Sequence, residues 1–231
     1  MMSKMGSSKM DNSMRGFVSM FRLQCIATVI LLLISSMSVA SESAVEAVRQ
    51  VVAQNVEEVL AKYEQEKPFF ETDPKRFYLN MDAALSQIVD FRRIAARVMG
   101  KYARKATKTQ RGRFSTVFKS SLFETYTKTL VESGSFKINV VKAALNSRSD
   151  KRASVDLSVV SESGNVYPVT YSMYFTKDGQ WLMENVIVFG VNVGLAFKDK
   201  FEAQFRVHKG DIDAVIDNWS VKIDLESAQE G

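Results

Sequence analysis

The spacing of apolar residues predicts helices in the first part of the chain. Over residues 45–63, apolar side chains recur every three or four positions, which predicts a helix that ends near Pro68. A second apolar stretch covers residues 81–88 and leads to Asp90, a favoured N-cap residue. The helix after it is strongly amphipathic, because its apolar residues keep a helical period: Phe91, Ile94, Ala95, Val98, Met99 and Tyr102.

A longer helix is predicted next. Thr107 and Gln110 have the spacing of a capping box, and Ser133 with Gly134 ends the pattern. The apolar stripe of this helix is Phe114, Val117, Phe118, Leu122, Tyr126 and Leu130. The chain is therefore expected to be helical over residues 41–133, with the basic side chains placed opposite the apolar stripes.

After Gly134 the apolar period changes to two, which predicts strands. Four apolar stretches are separated by short turn signals and cover residues 136–140, 153–159, 169–175 and 181–191. Short turns predict an antiparallel meander, here over residues 135–191. Helical periodicity returns over residues 195–222, where Asp211 is expected to cap the last helix. The fold class is therefore α+β, with about four strands.

Residues 1–40 have the features of a secretory signal peptide. Scattered basic residues precede an apolar run over residues 25–37, and residues 38–40 (SVA) form a small-x-small cleavage pattern. The apolar core is shorter than the roughly 20 residues that a membrane-spanning helix needs. We expect the mature chain to begin at Ser41 and to be soluble in the periplasm.

Cleavage of the signal peptide lowers the net charge of the chain. Four of the 31 basic residues and one of the 26 acidic residues lie in residues 1–40, so the net charge falls from +5 to +2. The one cysteine, Cys25, lies in the same segment. A mature chain of this length can bury a core without disulfides, even in an oxidising compartment.

The remaining charges are distributed in blocks. Residues 91–123 contain ten basic residues and no acidic one, whereas acidic residues predominate in residues 41–90 and 211–231. One interpretation is a solvated helix face that the acidic flanks neutralise. The other is a docking surface for anionic headgroups or acidic partner proteins, since export argues against a nucleic-acid partner. The docking candidates are Arg92, Arg93, Arg97 and Lys101.

Few residues could carry catalytic chemistry. Residues 41–231 contain no Cys and a single His, His208, which is expected on the surface at a helix end. The sequence has no metal-ligand cluster, phosphate-binding glycine loop or nucleophile elbow. An enzyme is therefore disfavoured, no cofactor is expected, and Asp156 on a predicted strand is the best available candidate for a buried catalytic carboxylate.

Two ordered sets of residues resemble a known family. The segments DFRRIAARVMGKY (residues 90–102) and ATKTQRGRF (residues 106–114) resemble the MlaC family, the periplasmic phospholipid carriers also called toluene-tolerance proteins. A second set follows in the family's order and consists of GQW, VIVFGV, Phe201 and GDID. The matches extend from about residue 90 to 220. The chain departs from the family pattern at Ala103, Asn185, Asn192 and Lys198.

The resemblance implies both a fold and a function. It implies a curved antiparallel sheet wrapped by N- and C-terminal helices around an apolar cavity, with residues 41–231 as one lipid-binding domain and a monomer. It also implies transfer of a phospholipid between an outer-membrane lipoprotein–porin complex and an inner-membrane ABC transporter with an MCE-domain ring. The tails need enclosure, because a two-chain lipid has about 30 methylenes and each costs roughly 0.8 kcal/mol in water.

The residues expected to contact lipid are bulky, aromatic or adaptable side chains on the sheet and on the helices that cover it. They are Tyr102, Val117, Leu122, Tyr126, Tyr171, Met173, Phe175, Val188 and Phe189. For each of them taken singly, ordinary core packing is the favoured interpretation. The alternative function is a ligand-free periplasmic interaction or adaptor module, which predicts a filled core and no extractable lipid.

Overall fold

The computed structural model describes residues 42–220. The predicted signal peptide over residues 1–40 lies outside the described residues, as do the last positions of the predicted C-terminal helix. The chain divides into two compact units, and the first is described only at residues 42–45, which are helical. The second unit is described over residues 46–220 and contains every feature discussed below.

Four helices precede the sheet. They are α1 (residues 46–66 within this unit), α2 (Pro74–Ser86), α3 (Phe91–Met99) and α4 (Lys108–Glu132), with single 3-10 turns at Lys67–Phe69 and Gly100–Arg104. The predicted capping residues are confirmed, because the side chains of Asp90 and Thr107 accept hydrogen bonds from the backbone N–H groups of Arg93 and Gln110. The predicted capping box is complete.

Helix α2 begins earlier than the apolar pattern predicts. The pattern indicates a helix only from residue 81, whereas α2 starts at Pro74 with Asp73 as its N-cap. Proline is favoured at the first helical position, because its missing N–H would have no partner there and its fixed φ suits the helix. The two added turns bring Phe77 into the core, where it is 2% exposed.

The sheet is an antiparallel meander of five strands in the order β1-β2-β3-β4-β5. The strands are β1 (Phe136–Asn146), β2 (Ser149–Ser161), β3 (Val166–Phe175), β4 (Trp181–Val188) and β5 (Val191–Asn192). The two-residue β5 adds to the four strands that the sequence predicts. Two helices follow, α5 (Val193–Val207) and α6 (Ile212–Asp217), and Asp211 caps α6 as predicted. The predicted α+β class is confirmed.

Two apolar clusters contain most of the buried apolar side chains among the described residues, and a smaller third one is formed by Tyr63, Phe77 and Met81. In the first, α3, α4, α5 and α6 pack around Phe114, Phe118 and Phe201, which are fully buried. In the second, Val48, Val52 and Val56 of α1 pack against one face of the sheet, on which the buried residues are Ala153, Val155, Leu157 and Met173. The sheet is therefore covered by α1 at one place and approached by the α3–α6 cluster at another.

A buried carboxylate attaches α3 to the sheet. Glu184 of β4 is 3% exposed, and its Oε2 lies 2.5 Å from Nε of Arg93. Its Oε1 lies 2.6 Å from Nη1 of Arg97 on the next turn of α3 and 2.5 Å from Nη1 of Arg152 on β2. Each guanidinium is partly exposed, so the three cations remain partly hydrated while they neutralise a carboxylate that is not. We call these four side chains the Glu184 cluster.

The start of α3 is bonded to the same part of the sheet. The backbone N–H of Asp90 donates to the carbonyl oxygen of Met183 at 3.1 Å, and the side chain of Asp90 accepts a hydrogen bond from the hydroxyl of Tyr174. The Arg93 guanidinium lies 4.0 Å from the centre of the Tyr174 ring. Burial, followed by the hydrogen bond to Asp90, raises the pKa of Tyr174 to about 12, so its hydroxyl remains a donor at neutral pH.

We expect Glu184→Gln to destabilise the protein by about 2 kcal/mol, because three arginines lose the charge that they neutralise while the side-chain shape is kept. The measurement is the free energy of unfolding in urea. Glu46→Gln is the matched control, since Glu46 forms an exposed pair with Arg49 at 3.6 Å and should contribute less than about 0.5 kcal/mol. Equal unfolding midpoints for the two variants would contradict this role of Glu184.

The stabilisation that Glu184 provides depends on pH. Burial raises the pKa of Glu184, but hydrogen bonds from Arg97 and Arg93 outweigh burial and hold it below its usual value. The stabilisation is therefore fully present above the unfolded pKa of about 4.3 and is lost as the pH falls through the lower folded value. The stability difference between wild type and Glu184→Gln should shrink as the pH is lowered from about 5 to about 3.

Candidate functional site

An apolar cavity of about 310 Å³ lies between α2, α3, α4 and the wall formed by β4 and the start of α5. We call it the main cavity. The helices contribute most of its lining: Phe77, Met81, Leu85, Phe91, Ile94, Phe118, Leu122, Phe123, Tyr126, Thr127 and Leu130. The opposite wall consists of Met183, Asn185, Val186, Val193, Gly194 and Phe197, and Tyr63 and Val89 complete the lining. Among the described residues, no charged side chain lines this cavity, so the lining favours apolar contents.

Two polar side chains of the cavity lining, Asn185 and Tyr63, form hydrogen bonds within the protein. The Asn185 side chain donates to Oδ1 of Asn192 at 3.0 Å and accepts from the backbone N–H of Gly194 at 3.1 Å. The hydroxyl of Tyr63 lies 3.2 Å from the carbonyl oxygens of both Leu130 and Gly134. These bonds stabilise the rim of the cavity and leave its surface largely apolar.

Gly194 leaves room for the Asn185 side chain. A Cβ atom at position 194 would lie 2.2 Å from Oδ1 of Asn185, so a larger residue would displace that side chain from its hydrogen bonds. Asn185 and Asn192 are two of the positions at which the sequence departs from the family pattern, and the structure shows that they bond to each other. The end of the wall strand is thus tied to the first turn of α5 by a pair of amides.

A second, smaller cavity of about 90 Å³ lies between α1 and the sheet. Val52, Val56 and Leu60 of α1 line one side, and Tyr171 and Met173 of β3 line the other. Three side chains, Leu85, Val89 and Met183, line both this cavity and the main cavity. They form the partition between the two, and it consists of flexible apolar groups without a charge.

Four of the residues that the sequence analysis assigns to lipid binding line a cavity. Leu122 and Tyr126 of α4 line the main cavity, and Tyr171 and Met173 line the second cavity. The structure brings the two pairs to opposite sides of the partition rather than into one space. Met173 is 2% exposed and packs within the α1–sheet cluster.

The other five residues of that set line neither cavity. Tyr102 stacks on Phe205 with ring centres 3.9 Å apart, and Val117 packs against the same helical cluster. Phe175 is 37% exposed and contacts the Trp181 ring at 5.2 Å. The remaining two, Val188 and Phe189, lie at the far end of β4.

Several cavity residues have no counterpart in the sequence analysis. Phe77 comes from the first turns of α2, which the apolar pattern misses. Met81 begins the predicted stretch but is not among the expected lipid contacts, and Phe123 lies beside the predicted stripe of α4. The Asp73-Pro74 pair is a helix-start signal that could have extended α2. For Phe123 no local signal distinguishes a cavity wall from a core position.

Most of the basic block is paired inside the protein. Besides the Glu184 cluster, Lys101 pairs with Glu202, Lys119 with Asp82, and Arg113 with both Asp213 and Asp217. Arg111 donates to the carbonyl oxygens of Ala103 and Ala106. Among the described residues, no ion pair is formed by Arg92, Arg104, Lys105 and Lys108. Three of the four docking candidates therefore already have an acidic partner, and Arg92 is the exception.

The described residues offer little for catalysis. Asp156 of β2 accepts a hydrogen bond from the Thr170 hydroxyl at 2.7 Å, and His208 is the C-cap of α5. Within residues 42–220, no group of His, Cys, Asp and Glu has the arrangement of a metal site. None of the described helices is long and apolar enough to cross a membrane.

Comparisons with known proteins agree with this architecture. A structure of the phospholipid-binding protein from Ralstonia solanacearum, in complex with a phospholipid, superimposes with a TM-score of 0.66 over 78% of this chain and 97% of that one. The two sequences are 19% identical, so the likeness concerns the fold.

The sequence comparisons are more specific. The toluene tolerance protein ttg2D of Pseudomonas putida is 35% identical over 174 residues, which are 75% of this chain and 80% of that protein. The family model described as MlaC protein matches residues 53–221. The resemblance stated from the sequence is confirmed, and the chain belongs to the MlaC family.

Proposed function

We propose that this protein is a periplasmic phospholipid carrier that encloses acyl chains in the main cavity. The observation that carries the proposal is an uncharged, apolar cavity of about 310 Å³ between a helical layer and a sheet wall. A volume of this order lies within the range of roughly 300–1,000 Å³ that is usual for ligand pockets. The names of two similar proteins, one a phospholipid-binding protein and one a toluene tolerance protein, support it.

The energy of the cargo explains why enclosure is needed. A phospholipid with about 30 methylenes would cost on the order of 25 kcal/mol with its tails in water. Exposed ion pairs contribute about 0–1 kcal/mol each, so a basic surface does not offset that cost. Only an apolar interior can hold the tails through the aqueous periplasm.

We assign the residues of the two cavities different parts in binding. Leu122 and Tyr126 contact acyl chains in the main cavity, and Tyr171 and Met173 bound an extension of it behind the partition. Displacement of the flexible Met183 and Leu85 side chains would join the two spaces. The charged headgroup remains outside, since the lining of the main cavity has no cation to neutralise it.

The proposed route follows the family to which the chain belongs. After cleavage of the signal peptide, residues 41–231 act as one soluble lipid-binding domain and a monomer. It moves lipid between an outer-membrane lipoprotein–porin complex and an inner-membrane ABC transporter with an MCE-domain ring. Arg92, Arg93, Arg97 and Lys101 lie near the attachment of α3 and guide docking, with Arg92 free of any acidic partner among the described residues. No cofactor takes part.

Lipid content tests the proposal directly. Protein expressed with its own leader and purified without detergent is denatured, and the extract is analysed by mass spectrometry. We expect phospholipid at close to one molecule or more per chain in wild type, and a severalfold loss in Leu122→Trp, because the indole occupies the main cavity. The delipidated variant should unfold at nearly the wild-type urea concentration, since a cavity gives the indole room that a close-packed core does not.

The control substitutes the same side chain on the surface of the same helix. Ser120 is exposed, so Ser120→Trp should change neither the lipid content nor the unfolding midpoint. Two results would count against the carrier. One is wild-type protein without extractable lipid, which the adaptor hypothesis predicts. The other is Leu122→Trp with full lipid content and a stability loss of about 1–3 kcal/mol, the mark of an overpacked core.

Docking is tested by reversing charge at two exposed candidates, Arg92, which forms no ion pair among the described residues, and Lys101, whose pair with Glu202 lies at the surface. Arg92→Glu with Lys101→Glu should slow lipid transfer to vesicles that contain phosphatidylglycerol, because exposed positive charge speeds encounter with an anionic surface. The effect should shrink as salt is raised, since exposed charges are screened beyond about 8 Å at physiological ionic strength. Arg148→Glu with Lys177→Glu changes the net charge equally at exposed positions of the sheet turns. Equal slowing by both double variants would contradict docking through α3, because net charge alone would then explain the slower transfer.

A further inference from the structure

The turn between β4 and β5 places an aromatic residue in an unusual backbone conformation. Phe189 and Gly190 have φ values of +51° and +80°, so both occupy the left-handed region. A two-residue hairpin turn of this kind favours Asn-Gly, because few side chains other than Asn, Asp and Gly tolerate it. Val188 and Val191 pair across the turn, and the backbone N–H of Phe189 donates to the carbonyl oxygen of Pro168 on β3 at 3.1 Å.

Folding alone does not account for a phenylalanine at this position. The side chain is 46% exposed, so burial offsets little of the backbone strain. Its ring lies edge-to-face against Tyr167, with ring centres 5.6 Å apart. Among the described residues, the other non-glycine residue with positive φ is Lys209, which lies at a helix end just before Gly210 and presents a charged side chain to water. A strained, exposed aromatic is a candidate functional group.

The segments next to Phe189 in the chain, and the strand segment that carries Tyr167, are free of charged residues. Val166, at the start of β3, is 57% exposed and lies next to Tyr167 in the chain. The two segments that meet here, residues 163–176 and 185–197, contain no Asp, Glu, Lys or Arg. We call Val166, Tyr167 and Phe189 the aromatic tip. An acidic or basic partner would find no complementary charge on it.

The aromatic tip continues the wall of the main cavity. The strand that leads to it contributes Asn185 and Val186 to the cavity lining, and the chain that leaves it contributes Val193 and Gly194. A surface that received the tip would therefore be within a few residues of the bound acyl chains. Paired Phe and Tyr side chains without neighbouring charge suit the interfacial region of a bilayer, where an apolar ring is buried and a hydroxyl stays hydrated.

We propose that the aromatic tip enters the interfacial region of a phospholipid bilayer and brings the cavity wall to the membrane from which lipid is taken or to which it is given. This inference rests on the proposed carrier function and extends it to a membrane-contacting surface. The surface is distinct from the basic positions of α3, and its contact with lipid is apolar. Binding through it is therefore independent of anionic lipid and insensitive to salt.

Fluorescence tests insertion directly. The mature protein carrying Phe189→Trp is mixed with phosphatidylcholine vesicles whose acyl chains are brominated. We expect a blue shift and quenching beyond that of wild type, which reports the native Trp181 and Trp219. Val207→Trp is the matched control, because Val207 is 70% exposed at the other end of α5 and should show neither change. Equal responses of the two variants, or no response of Phe189→Trp, would overturn the proposal.

A second variant separates insertion from lipid binding. Phe189→Asn removes the ring and suits the left-handed backbone, so the turn should persist and the unfolding midpoint should not fall. We expect unchanged lipid content and about tenfold slower transfer to phosphatidylcholine vesicles, the effect of losing one buried aromatic anchor. Unchanged transfer would overturn the proposal that the aromatic tip enters the bilayer. A loss of bound lipid would also overturn it, because Phe189 would then belong to the lipid-binding site. Wild-type protein without lipid would instead refute the carrier function, while the quenching experiment would still report on insertion.

Discussion

An apolar space inside a protein persists only if interactions at its edges keep the surrounding elements apart, because close packing is otherwise favoured. In this protein the interactions at the edges of the main cavity are ion pairs and hydrogen bonds. The Glu184 cluster fixes α3 to β2 and β4, and the Asn185–Asn192 pair ties the end of β4 to α5. Tyr63 of α1 bonds to the carbonyl oxygens at the end of α4.

The Glu184 cluster also shows that part of the basic block, residues 91–123, forms ion pairs within the fold. Ten cations without an acidic residue suggest a strong surface field, yet six of the ten have partners within the fold. Three acceptors lie in the acidic flanks, Asp82, Asp213 and Asp217, and the most buried one, Glu184, lies in the sheet. Each of the two interpretations of the basic block therefore applies to some of its residues. The paired cations are neutralised by acidic side chains, and docking is proposed for the exposed ones, above all Arg92.

The sequence predicts features that depend on near neighbours. The caps at Asp90, Thr107 and Asp211, the antiparallel order of the strands and the α+β class all follow from residues a few positions apart, and the structure confirms them. Glu184 could not be assigned from the sequence, because its three arginines come from positions 93, 97 and 152 and meet it only in the folded chain. The same reason applies to the cavities. Leu122 and Val117 belong to one predicted stripe, but only Leu122 faces a space.

The position of the acyl chains is the most direct test of the account. A crystal structure of the protein loaded with a phospholipid brominated on both chains would locate the bromines by anomalous scattering. We expect them in the main cavity, beside Leu122, Tyr126 and Val186, with the headgroup outside. Bromine peaks confined to the outer surface, with the main cavity empty or closed by its own side chains, would contradict it.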